Sequence, residues 1–250
     1  MAIIALANQK GGVAKTTTVH ALAEGMAELG QSVLAIDLDP QASLTYACGI
    51  DPEALPESIH DVFVKRTDLA DVVVDAGSFN LAPSNIDLAG AEIHLMTKTG
   101  REFALAKALK KVEGDYDLII IDCGPSLGIL TINGLTAADY VAIPFQAETL
   151  SQRGVGQLLE TIDDVRSYTN SDLQILGGIA TMFDARTNLS HQVVESITAD
   201  HKLELLEPPI PKSVRVAEAP GFGKSVLTYA PRSKPAVAYR ELVQTIRGRL

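Results

Sequence analysis

Asn8-Gln-Lys-Gly-Gly-Val-Ala-Lys-Thr-Thr-Thr18 stands between a short apolar run, Ile3 to Ala7, and a helix-period segment, Thr16 to Leu29, whose end Gly30 marks. Gly11 and Gly12 let the backbone turn tightly and approach phosphate oxygens with no Cβ in the way. The turn feeds a helix N-terminus, whose free N–H groups and partial positive charge hold an anion. Lys15 is placed to reach terminal phosphates and the Thr16 hydroxyl to ligate Mg²⁺. The plain pattern G-x-x-x-x-G-K-[ST] is not met, because its glycine positions hold Gln9 and Ala14. The stretch fits instead the deviant loop K-G-G-x-x-K-[ST], in which a second lysine, Lys10, precedes the glycines.

Outward from this loop, apolar runs of strand length alternate with helix-period segments. That pattern predicts one α/β domain over residues 1–250, a mostly parallel twisted sheet with helices on both faces. The clearest strands are Ile3 to Ala7, Val33 to Asp37, Leu118 to Asp122, Tyr140 to Pro144 and Ile175 to Thr181, rich in Ile, Val and Leu as strands buried on both faces should be. Helices are expected over Glu92 to Val112, Gly154 to Tyr168 and Ser190 to His201. A last helix begins near Pro235 and carries one apolar stripe, Tyr239, Leu242, Val243, Ile246 and Leu250.

Two acidic strand ends accompany the loop. Asp122 closes Ile119-Ile-Ile121, where a carboxylate at the carboxyl edge of the sheet can bind a Mg²⁺ shell through water. Alternation along Ile36-Asp-Leu-Asp-Pro-Gln41 puts Asp37 and Asp39 on one side, so both can face the metal and a terminal phosphate.

Lys10-Gly-Gly-Val-Ala-Lys-Thr-Thr17, Asp37-Leu-Asp-Pro-Gln41, Asp122-Cys-Gly-Pro-Ser126, Thr181-Met-Phe-Asp-Ala-Arg186 and Val214-Arg-Val-Ala-Glu-Ala-Pro220 together resemble the ParA/Soj chromosome and plasmid partition ATPases, within the wider ParA/MinD group. The resemblance covers essentially the whole chain. It implies a homodimer that encloses two ATP molecules with Mg²⁺, Lys10 of each subunit reaching the phosphates bound by the other. It implies phosphate contacts from Gly11, Gly12, Val13, Ala14, Lys15, Thr16 and Thr17, a metal set of Thr16, Asp37 and Asp122, a water-positioning Asp39, and an adenine border at Pro211 to Ser213. Hydrolysis is expected to be slow, with stimulation by a ParB-like or other adaptor. Three departures stand out: Ala14 for the more usual glycine, Cys123-Gly124 for the frequent Cys-Pro, and Ser213 for the usual asparagine.

The formal net charge of −10 argues against nucleic acid wrapping the whole surface. From Lys212 to Leu250, however, eight basic residues face two acidic ones, which reads either as a solvated basic face or as a nucleic-acid patch. By resemblance, DNA binding is non-specific and depends on the ATP dimer. Arg186 and Arg215 match positions implicated in it, and Lys212, Lys224, Arg240 and Arg247 are added as candidates. Arg186 and Arg215 read alternatively as structural salt-bridge partners.

The two cysteines, Cys48 and Cys123, lack metal-ligand spacing. No apolar run approaches the roughly 20 residues needed to span a bilayer. A cytoplasmic, nucleoid-associated protein is expected, with no membrane partner. The competing readings are a membrane-cycling positioning ATPase of the MinD type, which needs an amphipathic terminal anchor, and a metabolic ligase or Fe–S reductase on the same fold.

Overall fold

The computed structural model describes residues 1–148 and 151–250. Its sheet has seven strands: β1 (Ala2–Leu6), β2 (Val33–Leu38), β3 (Val74–Asp75), β4 (Asn80–Ala82), β5 (Leu118–Cys123), β6 (Tyr140–Gln146) and β7 (Gln174–Thr181). They lie in the order β3-β4-β2-β5-β1-β6-β7. Every neighbouring pair is parallel except β3 with β4. The five strands expected from apolar runs are all present. β3 and β4 are too short for a period to show, and they form a small hairpin in which Ala76 N–H donates to the Phe79 carbonyl at 3.0 Å.

Strands covered on both faces send alternate residues into two separate cores. From β1, Ile3 and Ala5 enter one core, which is closed by the helices Ile59–Val64, Leu88–Met96, Ile129–Ala137, Ser151–Tyr168 and Asn188–His201. Ile4 and Leu6 enter the other, with Leu22 and Met26 of the helix Lys15–Glu28 and Leu242 and Val243 of the helix Lys234–Arg247. The terminal helix starts where Ser233 caps it, its side chain accepting from Ala236 N–H, with a proline in the first turn. Tyr239, Leu242, Val243 and Ile246 are buried as the stripe requires. Leu250 falls past the helix end and is exposed, so it does not belong to the stripe. The Tyr239 hydroxyl, fully buried, meets the Thr18 hydroxyl at 3.1 Å and ties the last helix to the first turn after the phosphate loop.

One expected element is corrected. The continuous helix over Glu92 to Val112 is broken into Leu88–Met96, a 3₁₀ turn Arg101–Phe103 and Ala104–Leu109. Gly100 adopts a left-handed φ of 65°, which ends helical propagation, while buried residues on both sides continue the apolar period through the break.

Beyond β6, β7 bulges opposite Val141 and Ala142, and the following segment returns beside it, with Leu206 N–H donating to the Gly178 carbonyl at 2.8 Å. Gly177 sits in the bulge with φ 147°, and a Cβ there would lie 2.7 Å from the Glu204 carbonyl oxygen. Gly177→Ala is therefore expected to cost about 2 kcal/mol in urea unfolding, since backbone has to move. A change within about 0.5 kcal/mol, ordinary for a surface substitution, would contradict this close approach.

Candidate nucleotide-binding site

The phosphate loop crosses the carboxyl edge of the central strands, and neighbouring strands pin it there. Asn8, nearly fully buried, donates through Nδ2 to the Pro144 carbonyl at 2.7 Å and accepts from Lys10 N–H at 2.9 Å. The Thr181 hydroxyl donates to the Val13 carbonyl at 3.0 Å, and Gln146 Nε2 to the Gly12 carbonyl at 3.0 Å. The loop is thus held to the ends of β6 and β7 by side chains far away in sequence. Gly12 takes φ 76°, and Ala14 takes φ 64° in the left-handed region. The substitution of alanine for glycine at position 14 leaves a residue that carries about 1 kcal/mol of backbone strain, at the point where the helix Lys15–Glu28 starts.

The two lysines point to different places. Lys15 is buried, and its Nζ donates to the carbonyls of Asn8 and Lys10 at 3.0 and 3.3 Å, inside its own loop. Desolvation pulls its pKa down, opposed by the nearby Asp122, Cys123 and Asp39. Lys10 instead reaches outward, donating to Gln146 Oε1 at 2.7 Å and Glu148 Oε2 at 3.1 Å.

Asp122 is the electrostatic centre of the site. Its side chain is buried, and neither carboxylate oxygen meets a hydrogen-bond partner among the described residues. Burial, then the neighbouring Asp37 carboxylate, raises its pKa well above the usual range, while the Thr16 hydroxyl and Lys15 ammonium lie near enough to oppose the rise. A buried carboxylate without donors, beside a threonine hydroxyl at a phosphate-binding loop, has the oxygen chemistry to hold a hydrated divalent cation.

Asp37 does not join that set. It stands opposite Asp122 in the β2–β5 register, but its oxygens are already occupied. Oδ1 accepts from Asp39 N–H at 3.1 Å, and Oδ2 from the Thr45 N–H and hydroxyl at 2.9 and 2.8 Å. It anchors the turn after β2, and burial pushes its pKa up to about 6. Asp39 is partly exposed, and its carboxylate accepts from Gln41 N–H at 3.0 Å. Gly124 packs against it, a Cβ there falling 3.5 Å from the Asp39 Cγ.

Gly11, Gly12, Ala14, Lys15, Thr16, Thr17 and Asp39 line one cavity of about 700 Å³ that runs on to Pro211, Lys212 and Ser213, a size suited to a nucleotide. Val13 is fully buried and offers only its backbone. The Ser213 hydroxyl caps the short helix Val214–Glu218, accepting from Arg215 N–H at 3.3 Å. Lys224 also lines this cavity.

The candidate DNA residues separate. Lys212 N–H donates to the Phe183 carbonyl at 3.3 Å, which brings the loops carrying Arg186, Lys212 and Arg215 side by side past the carboxyl end of β7. Arg186 chelates Asp184 at 3.0 and 3.1 Å and Arg215 pairs with Glu218 at 3.0 Å, yet both guanidinium side chains are largely exposed. Arg240 is corrected to a structural clamp: it binds both oxygens of Glu28, at 2.9 and 2.8 Å, and the carbonyls of Pro231 and Leu227, so few donors are left for phosphate. Arg247 is exposed near the opposite end of β7, two residues before Arg249, which bonds the Leu176 carbonyl at 3.2 Å. It therefore lies away from the other three.

Sequence reasoning passed over the loop-pinning roles of Asn8, Gln146 and Thr181. Asn8 and Thr181 stand inside quoted motifs, whereas nothing local distinguishes Gln146.

A family model described as an AAA domain matches residues 1–175. The sporulation initiation inhibitor protein Soj of Bacillus subtilis (strain 168) is 43% identical over 246 residues, covering 98% of this chain and 97% of that protein. The chromosome partitioning protein ParA of Myxococcus xanthus (strain DK1622) is 40% identical over 242 residues, covering 96% and 86%. Among solved structures, one described as cobyrinic acid a,c-diamide synthase from Mycobacterium smegmatis, with bound ATP analog and magnesium, superposes with a TM-score of 0.88 at 46% identity, covering 98% of this chain and 93% of that one.

The raised carboxylates bind protons more tightly in the folded chain than in the unfolded one, so stability falls as pH rises from the ordinary carboxylate value of 3.8 towards about 6. Asp122→Asn removes one buried charge. It is expected to raise the melting temperature of the nucleotide-free protein at pH 7, to flatten that pH dependence and to eliminate Mg²⁺-dependent hydrolysis. A lowered melting temperature with full hydrolysis would contradict the role assigned to Asp122.

Proposed function

This chain belongs to the Soj and ParA family of chromosome partitioning proteins and is a partitioning or positioning ATPase of the P-loop class; from that premise we propose that it is an ATP-controlled dimerisation switch that binds DNA non-specifically as the dimer. The observation that carries the reading is the divergence of the two lysines. Lys15 lies within its own loop and lines the cavity, whereas Lys10, tied outward to Gln146 and Glu148, contributes nothing to the cavity wall of its own chain. A cation held at the rim is placed to serve phosphates bound by a second copy.

In this reading the main-chain amides of Gly11 to Thr17 and the Lys15 ammonium hold the β- and γ-phosphates. Bound Mg²⁺ supplies charge neutralisation between those phosphates, held by the Thr16 hydroxyl and, through water, by Asp122. Asp39, at the cavity edge, orients the attacking water. Lys10 from the partner subunit stabilises charge developing on the bridging oxygen, which couples turnover to dimerisation. Pro211 and Ser213 border the base.

Arg186, Lys212 and Arg215 share one edge and form the phosphate-binding patch. Each chain is acidic overall, so one patch is weak, and pairing two copies raises both affinity and its salt dependence. Hydrolysis is slow until a ParB-like adaptor completes the site, and release from DNA then moves the cargo. The protein is cytoplasmic and nucleoid-associated while ATP-bound.

Two further readings meet particular observations. A MinD-type membrane cycle needs an apolar face to insert, but the stripe of the last helix is already buried against the helix Lys15–Glu28. A ligase reading follows the name of the Mycobacterium smegmatis structure. Burial pushes both cysteine thiols, Cys48 and Cys123, up to about 12, so neither supplies a thiolate for releasing ammonia from an amide donor. Co-sedimentation with plasmid DNA or with anionic vesicles, each with ATP and Mg²⁺, separates the first two readings. ATP turnover driven by a carboxylic acid and ammonia would favour the third.

Lys15→Ala is expected to abolish ATP binding, whereas Asp39→Ala keeps it and accumulates dimer, as read by calorimetry and light scattering. Normal hydrolysis by the Asp39 variant would remove it from the mechanism. For DNA, Arg215→Glu is expected to weaken retention and reduce the salt slope while dimerisation persists. Arg240→Ala is expected to leave retention unchanged and to lower stability by up to about 1 kcal/mol through loss of the Glu28 clamp. The reverse assignment of the two arginines would overturn the division of the basic residues.

A further inference from the structure

A second cavity, of about 630 Å³, opens on the far flank of the sheet between the helix Ile59–Val64 and the interrupted segment around Gly100. Its charge is unlike the rest of the molecule. Arg66, Lys98, Arg101, Lys107 and Lys111 line it against a single carboxylate, Asp68, in a chain of net charge −10. Asp68 is engaged by Lys111, and Arg101 pairs with Glu102 at 2.9 Å. Among the described residues, Arg66, Lys98 and Lys107 have no ion-pair partner. The Lys107 ammonium leans over the Gly100 turn, 3.7 Å from where a side chain at Gly100 would begin. The floor is apolar, formed by Val62, Phe63, Leu69 and Leu95, all buried.

This cavity exists because the expected helix is broken. Gly100, in the left-handed conformation, turns the chain between Met96 and Arg101 and so brings Lys98 and Lys107 to one rim. Three unpaired cations at one concavity repel one another, and an anion seated among them relieves that repulsion. The volume suits a small molecule. Its shape, recessed with an apolar floor, fits a ligand that inserts an apolar body and leaves its phosphate at the rim, and does not fit the convex backbone of a duplex.

We propose that this cavity binds a small phosphate-bearing organic molecule, with Lys98, Lys107 and Arg66 holding the phosphate and the Val62–Phe63 floor holding the apolar part. The site is separate from the phosphate loop and its assignment does not depend on the function proposed above.

The test uses 1-naphthyl phosphate, titrated calorimetrically at low salt into the full chain with ADP and Mg²⁺ in excess, which keeps the probe out of the first cavity. Saturable one-site binding is expected. It should weaken about tenfold or more in the Lys98→Ala/Lys107→Ala double variant, and likewise for neutral 1-naphthol, since charge-assisted contacts of this kind are each worth about 1.4 kcal/mol or more. Arg66→Ala should weaken it to a lesser extent, and Lys110→Ala, outside the cavity lining, should leave it unchanged. Absence of saturable heat, or equal affinity in the double variant, overturns the proposal. Loss of plasmid-DNA retention in the double variant, without naphthyl phosphate binding to the parent chain, also overturns it and places these lysines on a nucleic-acid surface.

Discussion

A carboxylate buried without a hydrogen-bond partner, Asp122, is the constraint on which the site depends. Left alone, such a group is costly in a protein interior, and proteins keep one where a cation or a proton completes it. Here it sits at the end of the central strand β5, between the Asp37 carboxylate across the sheet and the Lys15 ammonium at the loop. The sheet gives it a fixed position, with β1 and β2 on either side of β5. A nucleotide's terminal phosphates and their divalent cation supply the charges that this edge lacks.

Around that edge, the loop is held from one side. Asn8, Gln146 and Thr181 tie its backbone to the ends of β6 and β7, and β7 leads directly into the loop that carries Arg186. The same loop hydrogen-bonds the segment that carries Lys212 and Arg215 and borders the cavity. Nucleotide and DNA surfaces are therefore built on one short stretch of chain past β7, a plausible physical basis for coupling one to the other. From the other face, the Tyr239–Thr18 contact fastens the terminal helix to the first turn behind the loop.

The parts of this architecture legible in the sequence are those governed by local pattern. Strands such as Leu118-Ile-Ile-Ile121 are apolar throughout because both faces are covered, and the phosphate loop carries its chemistry within eleven residues. What escaped depends on distance. Arg240 reads as a free cation until Glu28, 212 positions away, is placed beside it. Asp37 has the alternation of a site-facing residue, and only the Thr45 hydroxyl and amide, delivered by the turn after β2, remove it from the metal set. The helix expected through Gly100 kept its apolar period across a backbone break, and the second cavity lies at that break. β3 and β4 were illegible because two and three residues are too few to show a period.

The central claim is that the carboxyl edge of this sheet is assembled for terminal phosphates together with a divalent cation. Calorimetric titration of ATP into the protein, once with Mg²⁺ and once with a chelator in its place, tests it most directly. The account predicts binding at least about tenfold tighter with the cation, a difference of about 1.4 kcal/mol. Equal affinity under both conditions would contradict it.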